Sequence, residues 1–201
     1  MNYLAHLLLS GNIQETIMGN YVGDFVKGRL DPVKYQGINP DFVNGLKLHR
    51  YIDSYTDTNP LVRDAKHKIA LRFGRISGII VDIYFDYLLT KSFSNYTEEP
   101  LDAFCLRMYR LIKFNRQYIP ENMTALTESM IKQDWLKSYQ SLDGIALTFN
   151  RMSRRAPYLE PIKDATLELI DNEPFYEAKF LEFFPLLVQD SNRYLDGLYK
   201  I

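Results

Sequence analysis

Cysteine occurs once in this chain, at Cys105, so no intrachain disulfide and no cysteine-rich zinc site can form. The thiol lies among apolar residues and reads as part of a core, in keeping with a reducing compartment. An excess of charge of either sign is also missing. The 24 Lys and Arg against 25 Asp and Glu leave a net charge of −1, so no overall field recruits nucleic acid or a membrane surface. No stretch approaches the roughly 20 apolar residues that span a bilayer. The opening M-N-Y-L-A-H-L-L-L-S-G has no basic segment before its short apolar run, and Asn2 and His6 interrupt it, unlike a signal peptide. A cytoplasmic protein is expected. P-loop, G-x-G-x-x-G, H-E-x-x-H, EF-hand and G-x-S-x-G signatures are all absent, which removes the nucleotide-cradling folds and the serine-nucleophile elbow.

What is present points to one helical unit. Hydrophobic residues make up 46% of the 201 positions, and 15 Tyr and 12 Phe supply bulk for a core; a single domain over 1–201 fits that length. No period-2 alternation lasts long enough for a sheet. Asn39-Pro40-Asp41 combines an N-cap, a first-turn proline and a first-turn acid, predicting a helix to about residue 58, where Asn59-Pro60 starts another. Leu101, Phe104, Cys105, Met108, Leu111 and Ile112 form one apolar face over 101–118. Helices are further predicted over 2–10, 14–26, from beyond Gly74 to near Lys91, and over 121–132, 134–153, 161–172 and 174–199. Residues 29–38, with Pro32 and Gly37, read as a loop able to gate a site.

Chemistry concentrates in the first 86 residues. In H-R-Y-I-D, His49 and Asp53 are four apart, and in D-I-Y-F-D so are Asp82 and Asp86; each pair falls on one helix face. The second pair is surrounded by Ile79 to Leu89, nearly all apolar, and carboxylates there are costly to bury without a cation or hydrogen bonds. Asp24, in G-N-Y-V-G-D-F, and His6 complete a candidate ligand set for a divalent ion. Imidazole and carboxylate together suit Mn, Fe, Mg or Zn with open positions. Such an ion polarises a phosphoryl oxygen and lowers the pKa of bound water. Each residue also has a plainer reading: His49 as an ordinary helix histidine, Asp53 or Asp57 as partner of Arg50, Asp82 as a solvent-facing acid. His67, in A-K-H-K, reads as surface.

The segments M-N-Y-L-A-H-L, G-N-Y-V-G-D-F-V-K-G, L-H-R-Y-I-D and D-I-Y-F-D-Y-L-L, with M-S-R-R at 152–155 and F-F-P at 183–185, resemble the bacterial acyl carrier protein phosphodiesterase family over essentially the whole chain. That resemblance implies an all-α, HD-like phosphohydrolase fold, a manganese cofactor (with Mg2+, Fe2+ or Zn2+ as alternatives), and hydrolysis of holo-acyl carrier protein to apo-protein and 4′-phosphopantetheine. HD enzymes usually carry an adjacent His-Asp pair, which this chain lacks; by resemblance the His49–Asp53 helix stands in its place.

On that reading His49, Asp24, Asp82 and Asp86, with His6 nearby, hold the metal. Asp53 positions the attacking water, and Arg50 or Lys27 neutralises the phosphate. The carrier protein is expected to be acidic. Two basic groups are candidates for docking it: Arg107, Arg110, Lys113 and Arg116 along one helix, and Arg151, Arg154 and Arg155. Two rivals share these residues: a metal phosphohydrolase acting on nucleotides or other small phosphodiesters, and a helical module that binds a carrier protein without cleaving it.

Overall fold

The computed structural model describes residues 1–30, 33 and 35–200. Among them the secondary structure is helical, without a strand: α1 (Tyr3–Leu8), α2 (Gln14–Val22), α3 (Pro40–Thr58), α4 (Pro60–Phe73), α5 (Ser77–Lys91), α6 (Leu101–Phe114), α7 (Thr124–Lys132), α8 (Trp135–Ser138), α9 (Leu142–Ser153) and α10 (Ala165–Tyr199), joined in places by short 3-10 turns. The all-α expectation holds. Pro32, on which the gating-loop reading partly rested, lies outside the described residues, as do Asp31 and Lys34. Among the described residues no helix is long and apolar enough to cross a membrane.

The predicted caps form. The Asn39 side chain accepts from the Asp41 amide at the start of α3, and Asn59 accepts from the Leu61 amide at the start of α4. Helix α5 is buried along most of its length through Ile80, Val81, Ile83, Tyr84, Phe85, Leu88 and Leu89, and α10 packs across α3, α4 and α5.

Among the differences from the expected boundaries, two bear on packing. The predicted helix over 134–153 is two helices, because the Ser141 hydroxyl accepts from the Gly144 amide and caps a fresh start. The predicted break before Pro174 does not occur: α10 runs unbroken for 35 residues with Pro174 and Pro185 inside it. An interior proline costs roughly 3 kcal/mol. Leu169 precedes Pro174, and Tyr176, Phe180, Phe183, Phe184 and Leu187 follow it, all at 0% exposure; each contributes about 1.5–3 kcal/mol when buried. Tertiary burial on both sides of the proline outweighs its local penalty.

One crossing sets up the site. Gly19 of α2 faces Gly45 of α3 so closely that a Cβ on Gly19 would overlap the Phe42 carbonyl, and one on Gly45 the Thr16 carbonyl. The two backbones therefore touch, next to Asn20 and one turn from His49.

Candidate active site

Two elements distant in sequence bring His6, His49 and Asp53 together. α1 carries His6, and α3 carries His49 and Asp53 four residues apart. One ligand atom from each of the three lies within 4.8 Å of the others, a spacing that can hold a metal ion. His6 Nε2 is 3.2 Å from Asp53 Oδ1, and His49 Nε2 is 3.1 Å from Asp53 Oδ2. Asp24, on the 3-10 turn Gly23–Phe25 that follows α2, places Oδ1 3.4 Å from the same His49 Nε2. The imidazoles stack, with ring centroids 4.2 Å apart.

Asn20 orients both rings. Its Oδ1 lies 2.8 Å from His6 Nδ1, and its backbone carbonyl lies 2.8 Å from His49 Nδ1. Both oxygens can only accept, so each Nδ1 carries a proton and each Nε2 faces Asp53; on His49, where Asp24 and Asp53 favour the protonated ring, a cation would take the place of the Nε2 proton. The Asn20 amide nitrogen donates to the His6 carbonyl and to Ser10 Oγ, which fixes its own orientation. A histidine whose far nitrogen is locked by a hydrogen bond is the arrangement that prepares a metal ligand. His49 Nε2 is buried and, despite its close carboxylates, makes no hydrogen bond of proper geometry. The cluster thus converges on a shared point instead of closing on itself, and two imidazole nitrogens plus a carboxylate suit a borderline divalent ion.

Electrostatics agree. Burial works against charge on His49, but the carboxylates of Asp24 and Asp53 outweigh it and raise the imidazole to about 9. Burial dominates at His6 and lowers its pKa, with the neighbouring His49 adding to the effect. Asp53 is driven well below the carboxylate range by the two histidines, in spite of burial. The site concentrates negative charge that a cation would balance.

The acyl carrier protein phosphodiesterase family model matches residues 1–187. The chain belongs to that family. It is 28% identical over 194 residues to an acyl carrier protein phosphodiesterase of Escherichia coli O6:H1, covering 96% of this chain and 98% of the relative. To that of Photorhabdus laumondii it is 30% identical over 190 residues, with 94% of each covered, and to that of Enterobacter sp. strain 638 it is 30% identical over 197, with 97% and 100% covered. No solved structure matches the chain.

The structure redistributes several expected roles in this family member. Asp82 and Asp86 share a face as their spacing requires, but other groups take them. Asp82 Oδ1 is 2.9 Å from the Met1 ammonium. Asp86 is buried and its Oδ2 accepts from the Leu4 amide at 3.0 Å, capping α1. Burial raises Asp86 to about 7, partly offset by the Met1 ammonium and by the Leu4 and Ala5 amides. The pair anchors the helix bearing His6 and does not join the cluster. Asp53, expected to position water, sits among the candidate ligands.

Arg50 is also committed elsewhere. Its Nη2 donates to the carbonyls of Val26 and Gly28 at 3.1 and 2.6 Å, tying down the segment after Asp24. Lys27 is exposed beside that segment, without an ion pair among the described residues. Asp57 pairs with Lys66 and Asp53 with the two histidines, so neither of these two acids uses Arg50. Cys105 is buried, and burial pushes its thiol up to about 12, leaving it inert at neutral pH. His67 is exposed, as expected.

The first basic group does not form a continuous ridge. Helix α6 ends at Phe114, before Arg116, and steps of three turn the helix so that Arg116 would fall about 180° from Arg107. Arg107 is held by Glu99 at 2.6 Å, and Arg116 lies 3.9 Å from Glu128. Arg110 and Lys113 share a shallow surface hollow with Cys105. Arg151 and Arg155, by contrast, open onto a cleft of about 210 Å³ that Asp24 also lines, whereas Arg154 is exposed and outside it.

Sequence reasoning missed Asn20 and Gly23. Gly23 is required because a Cβ there would overlap the His49 ring. Both lie in the quoted G-N-Y-V-G-D-F segment, yet neither residue type carries chemistry of its own.

Proposed function

We propose that this chain hydrolyses holo-acyl carrier protein to apo-carrier protein and 4′-phosphopantetheine, with a divalent cation held by His6, His49 and Asp53. Family membership across nearly the full chain gives the substrate. The observation that carries the chemistry is the convergence of the three side chains with both histidine Nδ1 atoms locked by Asn20. We read the scaffold as HD-like, with the i,i+4 pair of α3 serving in place of an H-D dipeptide, and manganese as the cation used. A cytoplasmic location suits the single buried thiol.

When bound, the cation supplies charge stabilisation at the phosphoryl group and a more acidic water. The chain's own residues do the rest. Asp24 is the outward-facing member, its side chain 63% exposed, and it stands where the cluster meets the cleft. Its close approach to His49 Nε2, working against burial, lowers its pKa and keeps it ionised, so it accepts a hydrogen bond from the attacking water and orients it. Asn20 and Asp53 hold the imidazoles. Water adds to phosphorus and gives up a proton, the bond from phosphorus to the serine oxygen breaks, and that oxygen takes up a proton in exchange, leaving the arm as a phosphate monoester. Arg50 keeps Asp24 in place through the Val26 and Gly28 carbonyls.

The test is mass spectrometry of holo-carrier protein, incubated with the metal-stripped chain and again after adding Mn2+, beside a panel of nucleotides. Loss of the arm's mass only with the cation is expected. Nucleotide hydrolysis with an untouched carrier protein would replace this reading by a small-molecule phosphohydrolase.

A further inference from the structure

The cleft next to the cluster has an unusual charge arrangement. It lies between α1, α5, α7, α8 and α9, and Asp24 and Asp82 form its acidic side. Both acids have partners, His49 and the Met1 ammonium. Arg151, in the last turn of α9, and Arg155, in the turn just beyond it, also line it, yet among the described residues neither makes an ion pair or a side-chain hydrogen bond. Elsewhere on the molecule Arg107 forms a paired fork on Glu99. Two guanidiniums without carboxylate partners, facing a cleft that reaches Asp24, are suited to an anionic oxygen group. Ile83, Leu126, Trp135 and Met152 give it an apolar wall, beside the polar Asn2 and Thr148.

Building on the proposed activity, we infer that this cleft binds the phosphate-proximal half of the prosthetic arm: Arg151 and Arg155 pair the phosphate oxygens, and the apolar wall packs the branched carbon chain next to it. The size supports half an arm. Pockets that enclose a drug-sized ligand run to about 300–1,000 Å³, and this one, at about 210 Å³, has no room for the distal thiol end, which extends outside. Arg151 and Arg155 thereby set specificity for the arm, a role distinct from docking the carrier's surface.

The test uses the full chain loaded with Mn2+ and calorimetric titration with 4′-phosphopantetheine, pantetheine and inorganic phosphate. Arg151→Ala and Arg155→Ala are expected to weaken 4′-phosphopantetheine at least tenfold and pantetheine little, with partial recovery in Arg155→Lys. Trp135→Ala should weaken both organic ligands and spare phosphate. Wild-type affinity for 4′-phosphopantetheine in both alanine variants would overturn the arginine assignment. Inorganic phosphate binding as tightly as 4′-phosphopantetheine would overturn the apolar half. The activity itself is judged separately: a wild-type chain that binds the arm through these arginines but leaves holo-carrier protein intact refutes the proposed reaction and keeps the cleft. Turnover of holo-carrier protein with unaltered binding in the variants refutes the cleft alone.

Discussion

At the scale of single residues, the site depends on which nitrogen of each histidine is free. Asn20 settles that for both rings with one side-chain oxygen and one backbone oxygen. Asn20→Ala removes the partner of His6 Nδ1 and leaves that of His49 intact, so it should lower Mn2+ affinity by about 10–100-fold without abolishing it. His49→Ala should abolish it, with helical content retained in both variants by circular dichroism; equal affinities for Asn20→Ala and the wild type would remove Asn20 from the site. Asp86 allows a test of a different kind. Its folded pKa, raised chiefly by burial, is about 7 against an ordinary 3.8. Above pH 4 the unfolded chain has released a proton that folded Asp86 keeps until about pH 7, so the folded state binds more protons and stability falls as pH rises through that window. The loss attributable to this carboxyl is roughly 4 kcal/mol. Asp86→Asn should therefore gain on the wild type between pH 4.5 and 7.5 in urea midpoints, and a constant difference across that range would rule out a protonated Asp86.

At the scale of elements, the site exists because α2 and α3 touch backbone to backbone. Gly19→Ala places a methyl group against the Phe42 carbonyl and the Gly45 backbone, atoms that move only if the helices separate. Overpacking typically costs 1–3 kcal/mol, and here it also draws the Asn20 carbonyl away from His49. Loss of stability in urea should accompany weaker Mn2+ binding in this variant, whereas a comparable destabilisation from Leu71→Gly, at an exposed position of α4, should leave metal binding unaltered. The sequence made the helices themselves legible where local chemistry decides them: Asn39-Pro40 and Asn59-Pro60 mark two starts, and the spacing of Leu101 to Ile112 marks α6. It misled where tertiary packing overrides local signals, as at Pro174. It also misled at Asp82 and Asp86, where the i,i+4 spacing correctly placed both acids on one face but could not say that the face meets the start of α1 instead of a cation.

At the scale of the whole molecule, the candidate ligands were legible as residue types, and their grouping was only half legible. His49 and Asp53 are joined by helical spacing alone. His6 reaches them because α1 is pinned by Asp86 and by Asn20, long-range contacts with no local signature, and Asn20 was invisible because an asparagine in a helix usually signifies nothing. The same long-range construction makes the cation a structural tie between residues 6 and 53. A ligand that binds only the folded state stabilises it by about 2.7 kcal/mol at a hundredfold excess over its Kd. In a chain of 201 residues each kcal/mol moves Tm by about 2–4 °C. Saturating Mn2+ should thus raise the wild-type Tm by roughly 5–11 °C in a thermal melt, and the rise should vanish in His6→Ala and in His49→Ala alike, since each removes a ligand from a different helix. An undiminished rise in either variant would mean that the ion is held elsewhere, and the chemistry assigned to the cluster would move with it.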